Sequence, residues 1–112
     1  MHEYSLVRAM VDCVEQEARA RSAVAVHRLT VRIGALSGVE PELFESAFTL
    51  CREGLLAETA LEIRRSEAVW TCPECGGSIP EGAALRCAAC ERPARMVSGD
   101  EILLERIEME VP

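Results

Sequence analysis

Four cysteines stand in two Cys-x-x-Cys knuckles, Cys72-Pro73-Glu74-Cys75 and Cys87-Ala88-Ala89-Cys90, with eleven residues between them. Two such pairs joined by a short loop can bring four thiolates to one tetrahedral ion. Zn(II) is the expected occupant, because it accepts a Cys₄ set without redox chemistry. The spacer is a little shorter than the common two-knuckle pattern, so the match is in kind. Gly76 and Gly77 follow the first pair and offer the positive φ that such turns often need. A closed Cys₄ site has no open position for water or substrate, which makes it structural rather than catalytic. Two disulfides are the alternative, disfavoured because no secretory segment opens the chain. A rubredoxin-like iron centre is another, and visible absorption distinguishes it from zinc.

The second place where residue types suggest chemistry is Met1-His2-Glu3. A histidine at position two gathers the terminal amine, its own amide nitrogen and its imidazole, and the amide of Glu3 can complete a planar set. Ni(II) and Cu(II) favour such nitrogen-rich planar sites, whereas zinc, calcium and magnesium do not. Read from residue type alone, the same stretch is also an ordinary frayed terminus. The only other histidine, His27, reads as a surface or partly packed strand residue. No catalytic triad assembles from these residues, and no phosphate-binding glycine-rich loop is present.

The elements that must position these groups are legible from periodicity. Residues 5–21 repeat Val7, Met10, Val11, Val14 and Ala18 at helical spacing. Residues 26–33 alternate, with Leu29, Val31 and Ile33 on one side and Arg28, Thr30 and Arg32 on the other. Pro41 opens a second helix, with Phe44, Ala47, Phe48 and Cys51 inward and an end near Gly54. Leu61 and Ile63 mark a second strand. A last strand over about 102–111 sets Ile107, Met109 and Val111 against Glu108 and Glu110. Cys13 and Cys51 fall in apolar helical patterns and read as small core residues. Trp70 is expected to pack against one of the two modules it joins.

The expected fold is α+β, a small mixed sheet with two helices carrying an inserted Cys₄ zinc-ribbon module. The division runs 1–69 with 98–112 for the body, and 70–97 for the zinc segment. The net charge of −7 among 112 residues becomes about −9 with four thiolates and one Zn(II) bound. That disfavours sequence-independent nucleic-acid binding, despite a small cluster of Arg86, Arg92 and Arg95. No apolar run reaches the roughly 18 residues a membrane span needs, and nothing directs export, so a cytoplasmic protein is expected. An exposed strand edge in so small a sheet leaves homodimer formation open.

Taken together, Met1-His2-Glu3-Tyr4-Ser5-Leu6, the run Val31-Arg32-Ile33-Gly34-Ala35-Leu36-Ser37-Gly38-Val39 with Pro41, Leu43 and Phe44-Glu45-Ser46-Ala47-Phe48, and the double knuckle resemble the HypA/HybF family. These are the nickel-insertion accessory proteins of [NiFe]-hydrogenase maturation, and the resemblance spans essentially the whole chain. It implies a non-enzymatic nickel metallochaperone. His2 would be the nickel-binding histidine and Glu3 a supporting acidic residue. Cys72, Cys75, Cys87 and Cys90 would be the structural zinc ligands. Glu40 stands where some members carry an acid near nickel, though it could equally cap the second helix. The implied partners are the HypB GTPase and the hydrogenase large-subunit precursor. The zinc segment departs from some members in having no histidine.

Overall fold

The structure, a computed structural model, describes residues 2–80 and 85–112. Helix α1 (His2–Ala20) is built on Val7, Val11, Val14 and Ala18, all fully buried. Their spacing stacks them on one helical face. The helix starts three residues earlier than its apolar pattern predicts. Its first turn is docked: the Glu3 carboxylate accepts a hydrogen bond from the backbone N–H of Glu40 at 3.2 Å. It ends where Ser22 turns to φ 56° and the Ala23 N–H reaches back to the Ala18 carbonyl at 2.9 Å, a left-handed cap made without glycine.

Strand β1 (Ala25–Gly34) is the centre of the body. Strand β2 (Ala60–Ser66) pairs with it in parallel, and β6 (Ile102–Glu110) pairs on its other side antiparallel. A parallel neighbour needs a crossover, and helix α2 (Pro41–Cys51) lies in that connection. Phe44, Ala47, Phe48 and Cys51 point inward as the pattern requires. The helix stops at Cys51 and Gly54, at φ 58°, instead opens a short 3₁₀ turn through Leu56. Both helices cover the face of β1 that carries Leu29, Val31 and Ile33, so one core holds the body together. The opposite face carries Arg28 and Arg32, which reach Glu62, Glu108 and Glu105. Such exposed pairs contribute at most about 1 kcal/mol each.

Three sequence expectations need correction. Cys13 is exposed, whereas Cys51 is buried as expected. Cys13 lies two residues beyond Val11, roughly 200° around the helix, so it leaves the buried stripe. Thr30 is buried although it belongs to the polar face; it sits in register between Glu62 and Arg106, whose long side chains flank it. Val111 lies beyond the end of β6 and is exposed.

The cysteine segment forms a second sheet from β3 (Val69–Thr71), β4 (Ser78–Ile79) and β5 (Arg95–Ser98), in the order β4-β3-β5. Trp70 is set in register with Ile79 and Met96, so it belongs to this sheet. The radius of gyration is 18.0 Å, against about 13 Å for a single globule of this length. The two sheets therefore lie end to end rather than around a common core.

Where they join, two chain crossings are bound together by Glu101. Its carboxylate accepts hydrogen bonds from the Ser66 hydroxyl and the Gly99 N–H, both at 2.7 Å. Its carbonyl accepts from Gly34 N–H at 2.8 Å, and the Gly99 carbonyl accepts from Leu36 N–H at 2.7 Å. Backbones come so close here that a Cβ on Gly34 would lie 2.3 Å from the Gly99 oxygen. Gly99 itself stands at φ 117°, with Ala68 Cα only 2.5 Å from where its Cβ would be. The Ser66 and Gly99 hydrogen bonds hold the Glu101 carboxyl down at about 2.

A carboxyl depressed in this way stabilises the junction fully above its unfolded pKa of about 4.3, and the contribution fades as pH falls toward the folded value. Carbon-13 NMR of Glu101 should show titration near pH 2 in the native protein, shifted upward toward the ordinary range in Ser66→Ala. In the body, Phe48→Ala should lower unfolding free energy by about 3–5 kcal/mol in urea titrations.

Candidate metal centre

The two knuckles are built alike. In the first, the Gly76 N–H bonds the Cys72 carbonyl and the Cys72 N–H bonds the Gly77 carbonyl, both at 2.9 Å. In the second, the Glu91 N–H bonds the Cys87 carbonyl at 2.8 Å and the Cys87 N–H bonds the Arg92 carbonyl at 3.0 Å. Each turn bends through a left-handed residue directly after its second cysteine, Gly76 at φ 72° and Glu91 at φ 55°. The first knuckle thus has glycine where the turn requires it, while the second forces a glutamate into that conformation. Gly77 does not have positive φ; it leaves room instead, since a Cβ there would lie 3.3 Å from the Cys75 sulfur.

These turns bring the four sulfurs of Cys72, Cys75, Cys87 and Cys90 within 4.8 Å of one another. All four are free thiols, and Cys75 Sγ and Cys87 Sγ lie 3.8 Å apart. That excludes a disulfide between them, which needs about 2.05 Å. It fits the edge of a tetrahedron around zinc, where Zn–S bonds of about 2.3 Å place sulfurs about 3.8 Å apart. The donor set therefore suits a closed Zn(II) site. Proton affinities within the cluster are split. The Cys75 N–H draws the Cys72 thiol down to about 7, while sharing its proton with the Cys72 and Cys75 sulfurs pushes Cys90 up to about 12. A cation at the centre replaces those shared protons.

The arginines of this segment are engaged locally. Arg86 donates to the Glu91 carbonyl at 2.7 Å and Arg92 faces Glu74 at 3.6 Å. Only Arg95 of the cluster expected from sequence stands on a strand without an ion pair among the described residues. This is not a phosphate-binding stripe.

At the other end, the Met1 amine and the His2 imidazole lie outside the described residues. His2 itself begins α1, so the chain is helical from that point rather than frayed. An α-helix makes no intrahelical use of its first four N–H groups, so amides there can serve another purpose without opening a helical hydrogen bond. Glu3 is only 8% exposed and tethers this turn to the start of α2. Glu40 is the residue preceding α2; its side chain is exposed and makes no capping hydrogen bond. The cap role weighed for Glu40 is therefore reversed: Glu3 places its carboxylate at the N-terminus of α2, where a negative charge is favoured. Spacing gave no sign of this contact, because it joins residues 37 positions apart. His27 is exposed and lies 3.0 Å from Glu110, as a surface strand residue.

Residues 1–109 match the family model described as "HypA: Hydrogenase/urease nickel incorporation, metallochaperone, hypA". The chain is 38% identical over 114 residues to a hydrogenase maturation factor HypA of Aquifex aeolicus, covering 99% of each. It is 37% identical over 113 residues to that of Shewanella oneidensis, covering 98% of this chain and 96% of the other. A solution structure of HypA protein superposes with a TM-score of 0.78 at 30% identity, over 100% of this chain and 98% of that one. The solution structure of the Ni metallochaperone HypA from Helicobacter pylori gives 0.71 at 29% identity, over 98% of each chain.

The two knuckles give a direct test. Glu91→Gly should stabilise zinc-loaded protein by about 0.5–1 kcal/mol, and Gly76→Ala should destabilise it by about 1–2 kcal/mol. Chelator competition and thermal melting read both.

Proposed function

Because the chain belongs to the HypA family of hydrogenase/urease nickel-incorporation metallochaperones, we propose that it captures Ni(II) at its N-terminus and delivers it to [NiFe]-hydrogenase. The work of the family is metal delivery, not catalysis. The observation that carries the reading is the full-length family match together with a four-thiolate centre separate from the N-terminus.

In this reading His2 binds nickel with backbone nitrogens of the first residues, and Glu3 supports the site. Cys72, Cys75, Cys87 and Cys90 hold a resident Zn(II), which supplies no chemistry beyond locking the knuckles together. Sulfur-rich tetrahedral and nitrogen-rich planar sites prefer different ions, so each metal keeps to its own end. The body comprises 1–69 and 98–112, and the zinc module 70–97. A terminal site is open to a partner that replaces ligands one at a time, which suits transfer better than storage. The HypB GTPase and the hydrogenase large-subunit precursor are the partners in this scheme, and the compartment is the cytoplasm. No helix among the described residues is long and apolar enough to cross a membrane. A homodimer belongs to the same reading, since the body sheet ends in an open strand.

Calorimetry of nickel into zinc-loaded protein with a native N-terminus tests the scheme. One nickel per chain is expected, with binding lost in His2→Ala while zinc is retained. Binding through an amine, an imidazole and amides displaces protons, so affinity should fall steeply below about pH 6.5. Equal affinity in His2→Ala, or none that depends on pH between about 5 and 8, would overturn the terminal site.

A further inference from the structure

The four thiols of the metal centre are not equally reachable. Cys72 is 1% exposed, Cys87 and Cys90 are half-buried, and Cys75 is exposed. The first knuckle therefore turns its second sulfur toward solvent. A metal holds all four as thiolates, and the oxidation of a thiolate follows its exposure. The Cys87 sulfur accepts the Cys90 N–H at 3.4 Å. Among the described residues no backbone N–H donates to the Cys75 sulfur, whose one printed contact is the Cys87 sulfur at 3.8 Å.

That contact crosses from one knuckle to the other, and it is held by more than the ion. The first knuckle follows β3 and the second precedes β5, and these two strands pair antiparallel. Glu74 and Arg92, 3.6 Å apart, span the same gap from outside. Pairing inside the first knuckle would instead draw Cys72 out of its buried seat. Cys13 is also exposed, but the grooves it lines hold no other cysteine.

We propose that Cys75 and Cys87 are an oxidation site, at which hydrogen peroxide exchanges the zinc centre for a disulfide between the knuckles. Release of the ion rests on the reading of a resident Zn(II). The Cys75 thiolate attacks one peroxide oxygen, the O–O bond breaks, and hydroxide leaves. The Cys87 thiolate then attacks the sulfur of the resulting sulfenic acid, the S–O bond breaks, and a second hydroxide leaves. Two protons from solvent turn both hydroxides into water. The two sulfurs lose two electrons in all, and the peroxide gains them. The sulfurs close from 3.8 Å to about 2.05 Å. Cys72 and Cys90 are then the only donors left, and a closed tetrahedral site needs four. The ion leaves, and strands of two to four residues depend on the disulfide alone. The nitrogen donors of the nickel reading take no part, so the zinc module loses its form without a change at the N-terminus.

Treating zinc-loaded full-length protein with hydrogen peroxide, in the absence of reductant, tests it. A chromogenic chelator should report one zinc released for each disulfide formed. Non-reducing peptide mapping by mass spectrometry should place that disulfide between Cys75 and Cys87, a readout that needs no variant to fold. Glutathione with added Zn(II) should restore the centre. Cys13→Ser should release zinc at the rate of wild type. A disulfide inside either knuckle overturns the proposal. So does sulfinic acid at Cys75 without any disulfide, or zinc fully retained while Cys13 is oxidised. Protein isolated without zinc would sink the zinc reading alone, since the peptide map still decides whether Cys75 and Cys87 pair.

Discussion

The close approach of Gly34, Ala68 and Gly99, fastened by the Glu101 carboxylate, is the constraint on which the arrangement of this molecule depends. The two sheets share no core, so hydrophobic burial alone cannot fix one against the other. Two glycines let three backbone segments touch, and one carboxylate then gathers a hydroxyl and an amide from different crossings. Any side chain at Gly34 would push these segments apart. Orientation of the zinc module thus rests on a handful of directional bonds, whereas stability of the body rests on area removed from water.

Each half solves the problem of small size differently. The body buries Phe44, Phe48 and a valine stripe between two helices and one face of three strands. The cysteine segment has strands of two to four residues and little to bury beyond Cys72 and Ile79. Such short strands need a metal to fix their turns. The split of proton affinities among the thiols follows from the same crowding: four sulfurs held within 4.8 Å cannot all keep an undisturbed proton.

Much of this was legible in the sequence because the signals were local. The two knuckles, the Val7–Ala18 stripe, the alternation of Leu29, Val31 and Ile33, and Pro41 at the start of α2 each depend on spacing within one element. Other features depended on contacts or conformations the spacing does not carry. Glu3 meets Glu40 across 37 residues, and Glu101 meets Ser66 across 35. A bulge in β6 shifts which side each residue faces, and Cys13 falls off the buried stripe by an angle that apolar character alone conceals. The left-handed conformation at Glu91 was hidden because nothing in its residue type announces it.

The tether between Glu3 and α2 carries a further consequence. One of the two Glu3 carboxylate oxygens accepts the Glu40 amide, so the side chain is held in place at the start of α2 rather than free to swing. Anything that changes the charge on Glu3 is therefore linked to how firmly the first turn of α1 sits on α2, and the linkage runs both ways by the same factor.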